Sequence, residues 1–118
     1  MISRETIDEF FRDNKRRGAS LDRDMLWGYF FTGHKRAPLE NMKPIVEALD
    51  YTYVGILGPS DDNADKELMH LHIERVEKHS AASLFRRCGE LSALAKKHKL
   101  EGFDGFDVGN VDGSILFR

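Results

Sequence analysis

The chain has 118 residues, enough for one hydrophobic core and too few for two ordinary domains. Apolar residues make up 41% and charged residues 32%, the balance of a globular chain rather than a disordered one. A formal charge of −2 lacks the basic excess of proteins that live on phosphate contacts, where each neutralised phosphate needs a lysine or arginine.

The one cysteine, Cys88, rules out an internal disulfide and any Cys-x-x-Cys pair, and it suits a reducing compartment. Met1-Ile2-Ser3-Arg4-Glu5 becomes charged at once and offers no secretory apolar stretch. No apolar run approaches the length of a membrane span. A cytoplasmic chain without a membrane partner is the expectation.

Ser3 caps a first predicted helix, in which Ile7, Phe10 and Phe11 recur at helical spacing. The basic run Lys15-Arg16-Arg17 suits the negative end of the helix dipole, and Gly18 stops it. Met25 to Thr32 is short, aromatic and closed by Gly33, which predicts a first strand. Pro38 to Leu49 predicts a helix with Leu39, Met42, Ile45, Val46 and Leu49 on one face. Pro44 inside it demands either a kink or a later start.

Tyr51 to Leu57 predicts a second strand, and Gly58 to Asn63 has the composition of a loop. Leu68 to Glu77 predicts a third, where Met69, Leu71 and Ile73 alternate with His70, His72 and Glu74. Ser80 caps a long helix running to about Lys99, with Leu84, Phe85, Cys88, Leu91 and Ala95 as its core face and Gly102 as its stop. Phe103 to Val111 predicts a fourth strand, weakened by Gly105 and Gly109. Ser114-Ile115-Leu116-Phe117 offers a further edge strand.

The order α, then βαββαβ, predicts a ferredoxin-like α+β sandwich, an antiparallel four-stranded sheet with both crossover helices on one face. The expected organisation is one domain over 1–118, with an N-terminal helix over 1–18, the sandwich over 24–111 and a tail over 112–118. Alternation sends Leu71 and Ile73 toward the helices and His70, His72 and Glu74 to the reverse side. In the first strand the aliphatic choice places Leu26, Gly28 and Phe30 inward, beside Val54 and Ile56. The reverse face then carries Trp27, Tyr29, Phe31, Tyr53, His70 and His72. So much aromatic surface needs a cover. Either the N-terminal helix lies across it, or part of it stays open to a protein partner or a second copy of the chain.

Chemistry finds little support. His70-x-His72 puts two imidazoles on one strand face about 7 Å apart, but zinc needs a third or fourth ligand from elsewhere. Glu74 continues that row and Asp104 could face it, although alternating polar residues are ordinary on a half-exposed strand. Cys88, in an apolar stripe beside Phe85, reads as a structural thiol rather than a nucleophile. Asp61, Asp62 and Asp65 read as solvation. Asn110-x-Asp112-Gly113 resembles the middle of a calcium loop, but Val108 stands where an oxygen ligand belongs and no glutamate follows. No phosphate loop, nucleophile elbow or His-Glu-x-x-His occurs, so no enzyme and no cofactor is expected. His34-Lys35-Arg36, Arg86-Arg87 and Lys96-Lys97-His98-Lys99 read as solvated turns and helix ends. With the aromatic face they leave direct RNA binding as a minor alternative, beside a small-ligand or metal site on His70 and His72.

Four features together resemble one bacterial family. They are Trp27-Gly28-Tyr29-Phe30-Phe31, a helix followed by Leu49-Asp50-Tyr51-Thr52-Tyr53-Val54, a third strand leading into a long helix, and the closing Phe103-Asp104-Gly105-Phe106-Asp107. They look like the ribonuclease E inhibitor RraB family, whose members often close with an aromatic-Asp-Gly-aromatic stretch. The resemblance spans the chain from about Leu21 onward. It implies a ferredoxin-like fold and a non-enzymatic regulator that binds the endoribonuclease and lowers its activity. The candidate partner-binding residues are Trp27, Tyr29, Tyr53, His70, His72 and, from the closing stretch, Phe106. Self-association through the spare face or the Ile115-Leu116-Phe117 tail is the alternative use of that surface.

Overall fold

A computed structural model of the chain describes residues 2–59 and 67–114. The elements run α1 (Arg4–Arg16), β1 (Met25–Gly33), α2 (Arg36–Glu40), α3 (Lys43–Ala48), β2 (Thr52–Leu57), β3 (Met69–Glu77), α4 (Ala81–Lys97) and β4 (Gly102–Gly109). The strands form one antiparallel sheet in the order β2-β3-β1-β4, the arrangement of a ferredoxin-like sandwich with an added N-terminal helix. Most of the Gly58–Asn63 loop, the acidic residues Asp61, Asp62 and Asp65, and the Ile115-Leu116-Phe117 edge strand fall outside the described residues.

Local signals explain most boundaries. The Ser3 hydroxyl accepts from the Thr6 N–H and so satisfies one of the orphan donors of α1. Ser80 and Ser83 form a reciprocal capping box at the start of α4. The predicted 38–49 helix is two short helices, because Pro44 has no N–H to give and takes an early position of α3. At the end of α4 the chain reverses at Lys99, a non-glycine residue at φ 58°. Gly102 therefore opens β4 instead of closing the helix.

All the helices pack on one side of the sheet. Ile7 of α1, Leu39 of α2, Val46 of α3 and Leu84, Cys88, Leu91 and Ala95 of α4 join one core with Leu71 and Ile73. Trp27, Tyr29 and Phe31 belong to that same core and are 0% exposed. This corrects the expected face assignment of β1. Residues paired across neighbouring strands share a face, and β1 pairs Tyr29 with Ile73 and Phe31 with Leu71. Leu26, Gly28 and Phe30 are thereby turned to the reverse side. Tyr53 also follows Ile73 onto the helix side, whereas Val54, at a bulge against His72, points outward. The cover expected from α1 is corrected as well: Phe10 packs edge-on to Trp27 and Phe106 inside the helical layer.

The closing stretch Phe103-Asp104-Gly105-Phe106 works through a second bulge. Phe103 pairs with Phe31 and Phe106 with Tyr29, so both rings enter the core although three positions separate them. An uninterrupted strand would send one of them outward. Gly105 absorbs the irregularity at φ 141°, where a side chain would be strained.

With Trp27 buried among Phe10, Phe11 and Phe106, Trp27→Ala is expected to lower the unfolding free energy by about 3–5 kcal/mol. The shift of the urea midpoint measures it. A loss under about 0.5 kcal/mol would return Trp27 to the surface.

Candidate functional site: the open face of the sheet

With every helix on one side, the outward residues of the strands form the reverse surface. At its centre Phe30 of β1 stacks on His72 of β3, with ring centroids 4.6 Å apart and planes 15° from parallel. His70, edge-on to Phe30, bonds through Nε2 to Asp104 Oδ2 at 2.9 Å. Asp107 reaches in from β4. A Cβ at Gly28 would stand 2.2 Å from Asp107 Oδ1 and 2.8 Å from His72 Nε2, so glycine is what lets the two side chains converge over the backbone. His72 Nε2 is buried there and has no hydrogen-bond partner among the described residues. The flanks are apolar: Val54 is 48% exposed, Leu57 52% and Val76 47%.

A second constellation lies at the far end of the core. Glu77, at the last position of β3, is buried and carries a charge. Its Oε2 accepts from the Tyr29 hydroxyl at 2.7 Å and lies 2.7 Å from His79 Nε2, while Oε1 accepts from Arg87 at 2.7 Å. Trp27 Nε1–H donates to the Glu77 carbonyl. Burial by itself would raise the carboxyl, but the hydrogen bonds from His79 and Tyr29 and the Arg87 charge outweigh it, taking the group from 4.5 down to about 2. Burial, with the neighbouring carboxylate, pushes the Tyr29 phenol upward, so it stays a donor.

The same cluster contains a Ser-His-Glu line, with His79 Nδ1 2.9 Å from Ser83 Oγ. It resembles a hydrolytic triad in connectivity. The Ser83 oxygen, however, is held by the cap: it accepts from the Ser80 N–H at 2.8 Å and lies 3.2 Å from the Ser80 carbonyl. The acid, too, is spent on a tyrosine and an arginine. The arrangement ties β3 to α4.

A family model described as regulator of ribonuclease activity B, RraB, matches residues 4–108. The chain belongs to the RraB family. No curated protein matches it. The match runs from the start of α1 to the next-to-last residue of β4, whereas the sequence resemblance begins only near Leu21.

Of the candidate residues of this RraB-family chain, His70 and His72 stand on the open face as expected. Trp27, Tyr29 and Phe106 do not, because the β1 register turns them into the core, and Tyr53 lies half-buried on the helix side beneath Lys43. Phe30, Asp107, Val54 and Val76 occupy the surface instead. The pairing of β1 with Leu71 and Ile73 decides this, and it is visible only in the folded sheet. Among the described residues no group of three His, Cys, Asp or Glu side chains could hold a metal ion, so the histidine pair has no third ligand there. Cys88 is buried in α4, and burial raises its thiol to about 11. Among the described residues no helix is long and apolar enough to cross a membrane.

Two measurements follow from these geometries. Glu77 is held below its unfolded value, so its contribution is whole above pH 4.5 and is lost as pH falls through about 2. That loss should amount to roughly 3 kcal/mol. Urea midpoints from pH 6 downward should show it, and Glu77→Gln should be weaker at pH 6 with a flatter acid limb. Gly28→Ala should preserve the fold, since exposed Asp107 can swing away, while displacing the His72 ring. A ring resonance that moves for His72 and stays for His70 is the expected reading.

Proposed function

We propose that this chain is a non-enzymatic, cytoplasmic regulator that binds an endoribonuclease of the E type and lowers its activity, using the open face of its sheet. Family membership supports the regulatory role. The observation that carries the choice of surface is the placement of every helix on one side, leaving Phe30, His72 and an apolar flank uncovered among the described residues. Exposed apolar area beside polar groups suits a contact that must form and release.

Direct RNA binding has less behind it. The basic clusters sit on or beside the ends of α2 and α4, helices that pack on the other side of the sheet, and several are already engaged. Arg36 pairs with Glu40, and Arg87 pairs with Glu77 and Glu90. Among the described residues, no outward strand position adds a lysine or arginine to the Phe30–His72 stack for phosphate neutralisation.

The test is cleavage of a defined RNA by purified ribonuclease E with and without the chain. Inhibition by the natural chain is expected. Phe30→Ala, at the centre of the face, should weaken it by about 2 kcal/mol, close to thirtyfold in affinity. Full inhibition by a folded Phe30→Ala protein would remove this face from the account.

A further inference from the structure

We propose that the open face is a receptor for a cationic, arginine-bearing protein segment, an inference that rests on the reading of this face as the partner surface. Its charge is one-sided. Glu74, Asp104 and Asp107 bring three carboxylates to outward positions of β3 and β4. Among the described residues the four strands carry one lysine or arginine, Arg75, and it turns to the helix side. There it donates to the Leu49 carbonyl and lies 5.4 Å from the Tyr51 ring centroid. The imidazoles of His70, already paired with Asp104, and His72 are thus the basic groups of the open face. The chain as a whole holds 18 lysines and arginines against 20 acidic residues, so their sorting belongs to this face and not to composition.

The aromatic centre points the same way. Phe30 and His72 offer stacked faces beside the carboxylates, a setting in which a guanidinium can pair with acid and lie over a ring at once. Apolar positions at Val54, Leu57 and Val76 suit intervening aliphatic side chains. Nucleic acid is disfavoured because its phosphates would meet carboxylates with no outward lysine or arginine on the described strands. A second copy is disfavoured because an isologous contact sets the same acidic patch against itself.

The probe is a short synthetic peptide alternating arginine with valine, titrated into the isotope-labelled full chain. Controls are a glutamate-valine peptide and a uridine homopolymer RNA. The arginine peptide should shift the amide resonances of β1, β3 and β4 with salt-sensitive affinity, and the controls should not. The variant Glu74→Gln/Asp104→Asn/Asp107→Asn should lose about tenfold or more of that affinity. Asp107→Asn alone, a milder change, should lose part of it if the triple variant fails to fold. Equal affinity in the variants, shifts confined to the helix side, binding of the RNA on this face, or a dimer occupying the face would each overturn the proposal.

The ribonuclease assay separates the two claims. Inhibition lost in Phe30→Ala yet intact in the amide variants leaves the face as the docking surface and removes its preference for cations. Inhibition intact in both removes the face itself. Inhibition lost in the amide variants supports the charge reading.

Discussion

Strand β1 lies between β3 and β4, and its register against both neighbours decides what each side of the molecule can be. Pairing Tyr29 with Ile73 and Phe106 places three large side chains in one row under the helices, and pairing Phe30 with His72 places the next row outside. Because side chains alternate with a period of two, a slip of one residue would exchange the rows. Trp27, Tyr29 and Phe31 would then meet water, and Phe30 would stand where the helices pack. The core and the open face are therefore two consequences of one register.

That register is reinforced at its end by the buried Glu77. Met25 pairs with Glu77 at the start of β1, and the Glu77 carboxylate reaches to Tyr29 of the same strand and Arg87 of α4. Against a well-packed apolar replacement of the whole cluster a buried ion pair gains little net stability, even though protonating Glu77 alone costs roughly 3 kcal/mol. The buried pair is a strong source of geometry. Any register that carried Tyr29 away would leave the carboxylate short of a donor in a dry site, which costs more than an ordinary mismatch. The Trp27 indole adds a second tie to the Glu77 carbonyl. Polar specificity thus sits beside the aromatic rings of the core, where apolar side chains alone would tolerate more than one arrangement.

The order of elements, the antiparallel sandwich and the N-terminal caps of α1 and α4 were legible in the sequence because each rests on local chemistry. Ser3 and Ser80 stand before helical periodicity, Pro44 interrupts a helix, and β3 alternates cleanly. The sides of β1 were not legible in the same way. Every position from Met25 to Phe31 except Gly28 is apolar or aromatic, so alternation has no polar phase to reveal, and preferring aliphatic residues inward selected the wrong row. Two bulges hid further information: one turns Val54 out and the other brings Phe103 and Phe106 to the same side. The Glu77–His79–Arg87 cluster was likewise invisible, since its members join only when β3 and α4 pack. Gly28, unremarkable in sequence, is explained by what lies above it.

A four-stranded sheet with aromatic residues on its uncovered central strands is also the architecture by which some proteins stack single-stranded RNA. What separates the two uses is the sign of the surrounding charge. Stacking is tolerant of its guest, because a ring accepts a base or a guanidinium alike. The neighbours decide. Here Phe30 and His72 are framed by Glu74, Asp104 and Asp107, while the lysines and arginines of α2 and α4 lie across the core. A regulator of a ribonuclease works on an enzyme that already attracts RNA, and an acidic surface avoids competing for that nucleic acid through its own phosphate contacts. The charge on this sheet is thus the feature on which the proposed preference for basic protein over RNA rests.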